Sequence, residues 1–120
     1  MERVSGIGGL FFRSKDPDSL VEWYEQHLGV SRVPTTYEDA PWVQEEGPTV
    51  FAPFEQDSEY FGSPGNAWMI NFRVPDLDAM VAQLRAAGAE VDVDDEAYPN
   101  GRFARLSDPE GNPIQLWQPA

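Results

Sequence analysis

The sequence predicts an α+β fold built from two βαβββ modules in tandem, and three observations predict it. The segment "FFRSKDPDSL" at 11–20 returns as "NFRVPDLDAM" at 71–80, an offset of sixty residues in a chain of 120. That offset pairs Phe12 with Phe72, Arg13 with Arg73, Asp16 with Asp76, Asp18 with Asp78 and Val21 with Val81. Each copy opens on a strand-like run, breaks at an aspartate able to cap a helix, and continues with apolar residues at helical spacing. Each helix is then followed by three short strand candidates separated by turn residues.

The first module is assigned to 1–53. Its opening strand is "GIGGLFFRS"; Asp16 caps a helix, and Pro17 takes the first helical position, where a missing N–H costs nothing. Leu20, Tyr24 and Leu28 fall four apart on one face, and Gly29 is a natural stop. Strands are expected near 31–37, 41–46 and 48–53. Residues 54–66 read as a connector containing Gly62, Pro64, Gly65 and Asn66, a linker composition interrupted by Tyr60 and Phe61. The second module, 67–118, opens with "AWMINFRV". Its helix carries Leu77, Met80, Val81 and Leu84 as an apolar stripe and ends at Gly88. Strands follow near 89–93, 102–107 and 113–118, the last two joined by the turn "DPEGN" at 108–112.

Composition excludes several function classes. With no cysteine, a disulfide framework, a thiolate metal site and a cysteine nucleophile are all ruled out. Eight basic residues against 21 acidic ones give a net charge of −13, which repels nucleic acid and anionic lipid. No apolar run approaches the roughly eighteen residues of a membrane span, and no cleavable leader is apparent, so a cytoplasmic protein with no membrane partner is expected. His27, the single histidine, belongs to the end of the first helix, where a partial positive charge is favourable. Glu45 and Glu46 are adjacent in a strand candidate and point to opposite faces, so they do not form an acid–base pair.

The segments "FFRSKDPDSLVEWYEQHLG", "NFRVPDLDAMVAQLRAAGAEV" and, most specifically, "RLSDPEGNPIQLWQP" resemble the vicinal oxygen chelate superfamily of glyoxalases, bleomycin-resistance proteins and dioxygenases. The resemblance spans essentially the whole chain. It implies that the two modules curl their mixed sheets around one cleft, where many members bind a divalent metal through one ligand from the first strand and one from the last strand of each module. In this sequence the four corresponding positions are Gly9, about Phe51, Met69 and Gln115. A hydrogen, an aromatic ring, a thioether and a neutral amide do not make a ligand set for a hard divalent cation, so neither a metal nor any other cofactor is expected.

Period-two alternation places Phe11, Arg13, Met69, Asn71 and Arg73 on the cleft side, with Phe51, Gln115 and Trp117 completing its floor. Such a lining suits a small aromatic or conjugated molecule carrying an acceptor or anionic group. The competing reading of the same residues is an aromatic core between sheets with acid-paired arginines. Three functions follow: a metal-free small-molecule binder, a lyase- or dioxygenase-type enzyme with a non-standard or metal-free site, and an assembly module. The first is preferred, because the metal ligands are missing and the cleft is aromatic; the enzyme ranks a close second, since no acid and base have secure geometry for catalysis, and assembly third. The resemblance further implies modules that often pair across two chains, hence an expected homodimer, with pairing within one chain or across the dimer left open by the sequence.

Overall fold

A computed structural model describes residues 1–120 as two helices and a four-stranded open sheet. Helix α1 spans Pro17–Leu28. The Asp16 carboxylate accepts from the Ser19 backbone N–H at 3.2 Å and from its hydroxyl at 2.8 Å, and Gly29 closes the helix at φ 70°. Strand β1, Ile70–Arg73, leads into helix α2, Leu77–Ala86, whose cap Asp76 accepts from the Ala79 N–H at 3.0 Å. Strands β2 (Asp92–Val93), β3 (Gly101–Ser107) and β4 (Pro113–Pro119) complete the sheet. The order is β1-β4-β3-β2, with β1 parallel to β4 and the other neighbours antiparallel.

Register divides the sheet into two chemically different faces. Ile70 stands beside Ile114 and Ile114 beside Leu106; Phe72 stands beside Leu116 and Leu116 beside Ala104. These residues face the helices, and the core forms there from Leu20 and Tyr24 of α1, Leu77, Val81 and Leu84 of α2, and Ile114 and Leu116 of β4. Both helices therefore cover one face of one sheet. Side chains of the intervening positions emerge on the opposite face.

The second half is thus βαβββ, as its sequence predicts, with β2 reduced to two residues. The first half differs: α1 forms at its expected limits, but 7–14, 31–37, 41–46 and 48–53 join no ladder. A helix satisfies its own backbone, whereas a strand exists only where a neighbour supplies N–H and C=O groups. Here those segments find point contacts instead. Phe12 lies 4.8 Å from Trp68, ring centroid to centroid, and the Arg73 guanidinium donates to the carbonyls of Glu45 at 2.7 Å and Pro48 at 2.6 Å.

Two long-range ties hold α1 to the final hairpin. The Tyr24 hydroxyl donates to the buried Asp108 carboxylate at 2.7 Å, and Asp108 also accepts from the backbone N–H groups of Glu110 and Asn112, bracing the turn. The Glu110 carboxylate reaches back to accept from the Ser14 hydroxyl and the Lys15 N–H, each at 2.7 Å. Gly101 opens β3 at φ 131°, where a Cβ would collide with the Gln118 carbonyl, so only glycine fits.

Candidate functional site

The helix-free face of the sheet carries two cross-strand rows. Asn71, Gln115 and Arg105 are consecutive neighbours in one; Arg73, Trp117 and Phe103 form the other. In the first row the Asn71 amide donates to Gln115 Oε1 at 2.7 Å, which fixes the amide and leaves Gln115 Nε2 as a donor. That donor meets the hydroxyl of Tyr60 at 2.7 Å. In the second row the Phe103 and Trp117 rings are parallel within 2° at 6.2 Å, and the indole N–H is bound to the Asn100 carbonyl at 2.8 Å. Trp117 is therefore an anchored, 7% exposed wall rather than a mobile one.

Charge on this face runs against that of the molecule. The chain has 21 carboxylates, yet the only ion pairs are Arg32–Glu25 and Arg102–Asp78, both elsewhere. Arg73 and Arg105 have no carboxylate within 4.0 Å. Arg73 donates through its two terminal nitrogens to the carbonyls of Pro48 and Glu45, and Gly47 permits that approach, since a Cβ there would lie 2.7 Å from Arg73 Nε. Arg105 donates to the Tyr60 carbonyl and lies 4.3 Å from the centre of the Tyr60 ring.

Of the eight residues expected to line a cleft, Asn71, Arg73, Gln115 and Trp117 share this face, and the Met69 sulfur lies 4.0 Å from Arg105. The other three are not brought to it. Phe11 and Phe51 are 94% and 86% exposed, and Arg13 is exposed, because the first-half segments that carry them are unpaired. Four contributors escaped the sequence reading: Phe54, Tyr60, Phe103 and Arg105. The last two were within reach, because a turn at 108–112 sets Arg105 opposite Gln115 and Phe103 opposite Trp117. Tyr60 and Phe54 were not, since no local pattern says where a connector lies.

The four positions to which the resemblance points, Gly9, Phe51, Met69 and Gln115, carry neither a carboxylate nor an imidazole. Gly9 has no side chain, Phe51 points into solvent, and the Gln115 amide is engaged by Asn71 and Tyr60. No group of three or more His, Cys, Asp or Glu side chains is arranged so that it could hold a metal ion.

Comparison with known proteins places these features in a family. A family model for the glyoxalase-like domain matches residues 9–117. The chain belongs to the glyoxalase-like family. This glyoxalase-like chain is thereby a member of the vicinal oxygen chelate superfamily. It is 43% identical over 56 residues to CFP32, a protein named as a glyoxylase, from Mycobacterium bovis and Mycobacterium tuberculosis. The match spans 46% of the glyoxalase-like chain and 22% of each relative, so it covers only about a fifth of the length of those curated relatives. Among solved structures, TnmS3, an antibiotic binding protein from Streptomyces sp. CB03234, aligns over 100% of both chains with a TM-score of 0.64 and 25% identity. A glyoxylase/bleomycin resistance protein/dioxygenase domain from Frankia sp. EAN1pec aligns over 98% of this chain and 100% of its own, at a TM-score of 0.63 and 16% identity, a likeness of fold. The glyoxalase-like chain thus has the α+β glyoxalase/bleomycin-resistance fold. No helix in it is long and apolar enough to cross a membrane.

Proposed function

We propose that this glyoxalase-like protein binds a small aromatic or conjugated molecule, without a metal, on the helix-free face of its sheet. The observation that carries the reading is the pair of cross-strand rows: aromatic walls from Phe103 and Trp117, amides from Asn71 and Gln115, and two arginines with no carboxylate partner in a strongly acidic chain. A positive spot within a negative molecule selects ligands carrying an anion or acceptor, and the aromatic wall selects flat ones. Whole-chain likeness to TnmS3, whose name states antibiotic binding, supports the same class.

Thermal shift against a panel of aromatic acids and aromatic antibiotics tests this. At least one compound raises the melting temperature of the wild type, and Arg73→Ala weakens its binding by roughly tenfold to a hundredfold, the effect of losing one charge-assisted hydrogen bond in a partly dry site. A panel with no stabilising compound, or binding indifferent to Arg73, overturns the reading.

Two companion proposals belong to it. Elemental analysis of the purified protein returns no stoichiometric zinc, nickel, manganese or iron; one such ion per chain, lost in Gln115→Ala, would defeat the metal-free reading. The chain is a homodimer, in which a second copy covers or pairs the exposed first-half segments, Phe11, Val43, Val50 and Phe51 among them.

A further inference from the structure

The connector at 54–66 is tied to the sheet at one residue. Its backbone hydrogen bonds are local turns: Ser58 N–H to Glu55, Gly62 N–H to Glu59, Asn66 N–H to Ser63. Its side-chain bonds are also internal, Asn66 to the Phe61 carbonyl and the Tyr60 N–H to Ser58. The only hydrogen bonds that leave it are those of Tyr60, with Gln115 Nε2 and with the Arg105 guanidinium.

Tyr60 is held as a ligand would be held. Its hydroxyl oxygen accepts from Gln115, whose other amide atom is already committed to Asn71, so the position offers a donor and selects an acceptor oxygen. The Arg105 guanidinium lies 4.3 Å from the ring centre, an arrangement that favours electron-rich rings. Phe54 stacks on the same residue at 5.7 Å and 26°. Yet Tyr60 remains 39% exposed as a residue and sits in a segment without regular structure, so little burial resists its departure.

We propose that the Gln115–Arg105 corner is a binding subsite for a hydroxylated aromatic ring, kept filled by the chain's own Tyr60, which an incoming ligand displaces. The inference rests on the reading of this face as a ligand site and adds to it a chemical class, phenols and their oxygen-bearing relatives, and a built-in competitor. A ligand binds only the fraction of molecules in which Tyr60 has lifted away, so its apparent affinity is lowered by that fraction. The connector thereby sets a threshold: weak aromatic ligands fail to displace it.

The test uses p-cresol, which is the tyrosine side chain as a free molecule, titrated into the full chain while the backbone amide resonances of β3 and β4 around Arg105 and residue 115 are followed by NMR. In Tyr60→Ala the resonances shift saturably, with affinity at least about tenfold tighter than in the wild type, the gain expected when a competitor occupying nine-tenths of molecules is removed. Tyr60→Phe, which keeps the ring and frees only the amide, gives a smaller gain and guards against a connector disturbed by the larger truncation. Adding Gln115→Leu to Tyr60→Ala abolishes the response, and toluene, lacking the hydroxyl, binds more weakly than p-cresol. Equal p-cresol affinity in wild type and Tyr60→Ala, no saturable binding in either, or indifference to Gln115→Leu overturns the proposal. A p-cresol response in Tyr60→Ala beside an aromatic-acid panel that fails on the wild type leaves the subsite standing and removes the broader reading; panel binding without a p-cresol response does the reverse.

Discussion

Tyr24 shows how a single side chain joins distant parts of this chain. Burial pushes its phenol well above the ordinary tyrosine value, and the bond to Asp108 pushes it further, so it stays a proton donor. Tyr24→Phe leaves the core volume intact but strips one donor from a carboxylate that is 4% exposed. A hydrogen bond to a charged group contributes roughly 1.5–3 kcal/mol, and urea unfolding of Tyr24→Phe should show a loss in that range. A loss near zero would mean that the three bonds from Glu110 and Asn112 alone suffice to hold Asp108. Tyr98, by contrast, is a surface donor: its bond to Asp94 pushes it up to about 12 without burying it. Arg73 has two duties by position, since its guanidinium grips the carbonyls of 45 and 48 while standing in the aromatic row of the candidate site. For that reason Arg73→Ala should lower the melting temperature of the free protein as well as weaken ligand binding, and the two effects separate when affinity is measured well below the new midpoint.

At the level of elements, the helices are set by their caps and by what reaches those caps. Asp16 and Asp76 each accept from the N–H three residues on, and replacing either with alanine should lower the midpoint of denaturant titration. The approach to α1 is held from outside by Glu110, whose bonds from Ser14 and from the Lys15 N–H keep its carboxyl below the ordinary glutamate range. A lowered carboxyl stabilises the fold fully above its ordinary value, about 4.3, and the contribution fades as pH falls through the folded value. Wild type should therefore melt above Glu110→Gln at neutral pH, and the gap between them should close below about pH 4. A gap that stays constant down to about pH 3 would show that Glu110 acts through shape rather than charge.

The molecule as a whole leaves a paired half and an unpaired half. The second half builds a complete βαβββ sheet, while Phe11, Val43, Val50 and Phe51 of the first stand in solvent. Exposed apolar strand candidates of this kind call for a partner. Sedimentation at tens of micromolar should give about twice the 13.5 kDa chain mass, and amide exchange should show protection within 7–14 and 48–53 that a lone chain does not supply. A monomer with fast exchange in both segments would refute the dimer.

Most of the fold was legible in local sequence. Caps at Asp16 and Asp76, Pro17 at the first helical position, glycine at 29, and the "DPEGN" turn are local signals whose physics is completed within a few residues, and the elements they mark appear where expected. Period two correctly put Asn71, Arg73, Gln115 and Trp117 on one face, because alternation is a property of any extended chain. What the sequence could not decide is everything that depends on a neighbour. Phe11 and Phe51 stand away from that face because the segments carrying them pair with nothing, and Arg105 lies on it through cross-strand register. Tyr60 reached it because a connector with no pattern of its own lay down on Gln115 and Arg105. Helices and turns close their hydrogen bonds locally and so are written in the sequence, whereas strand pairing, the path of a connector and the contents of a cleft are long-range contacts that only the folded chain supplies.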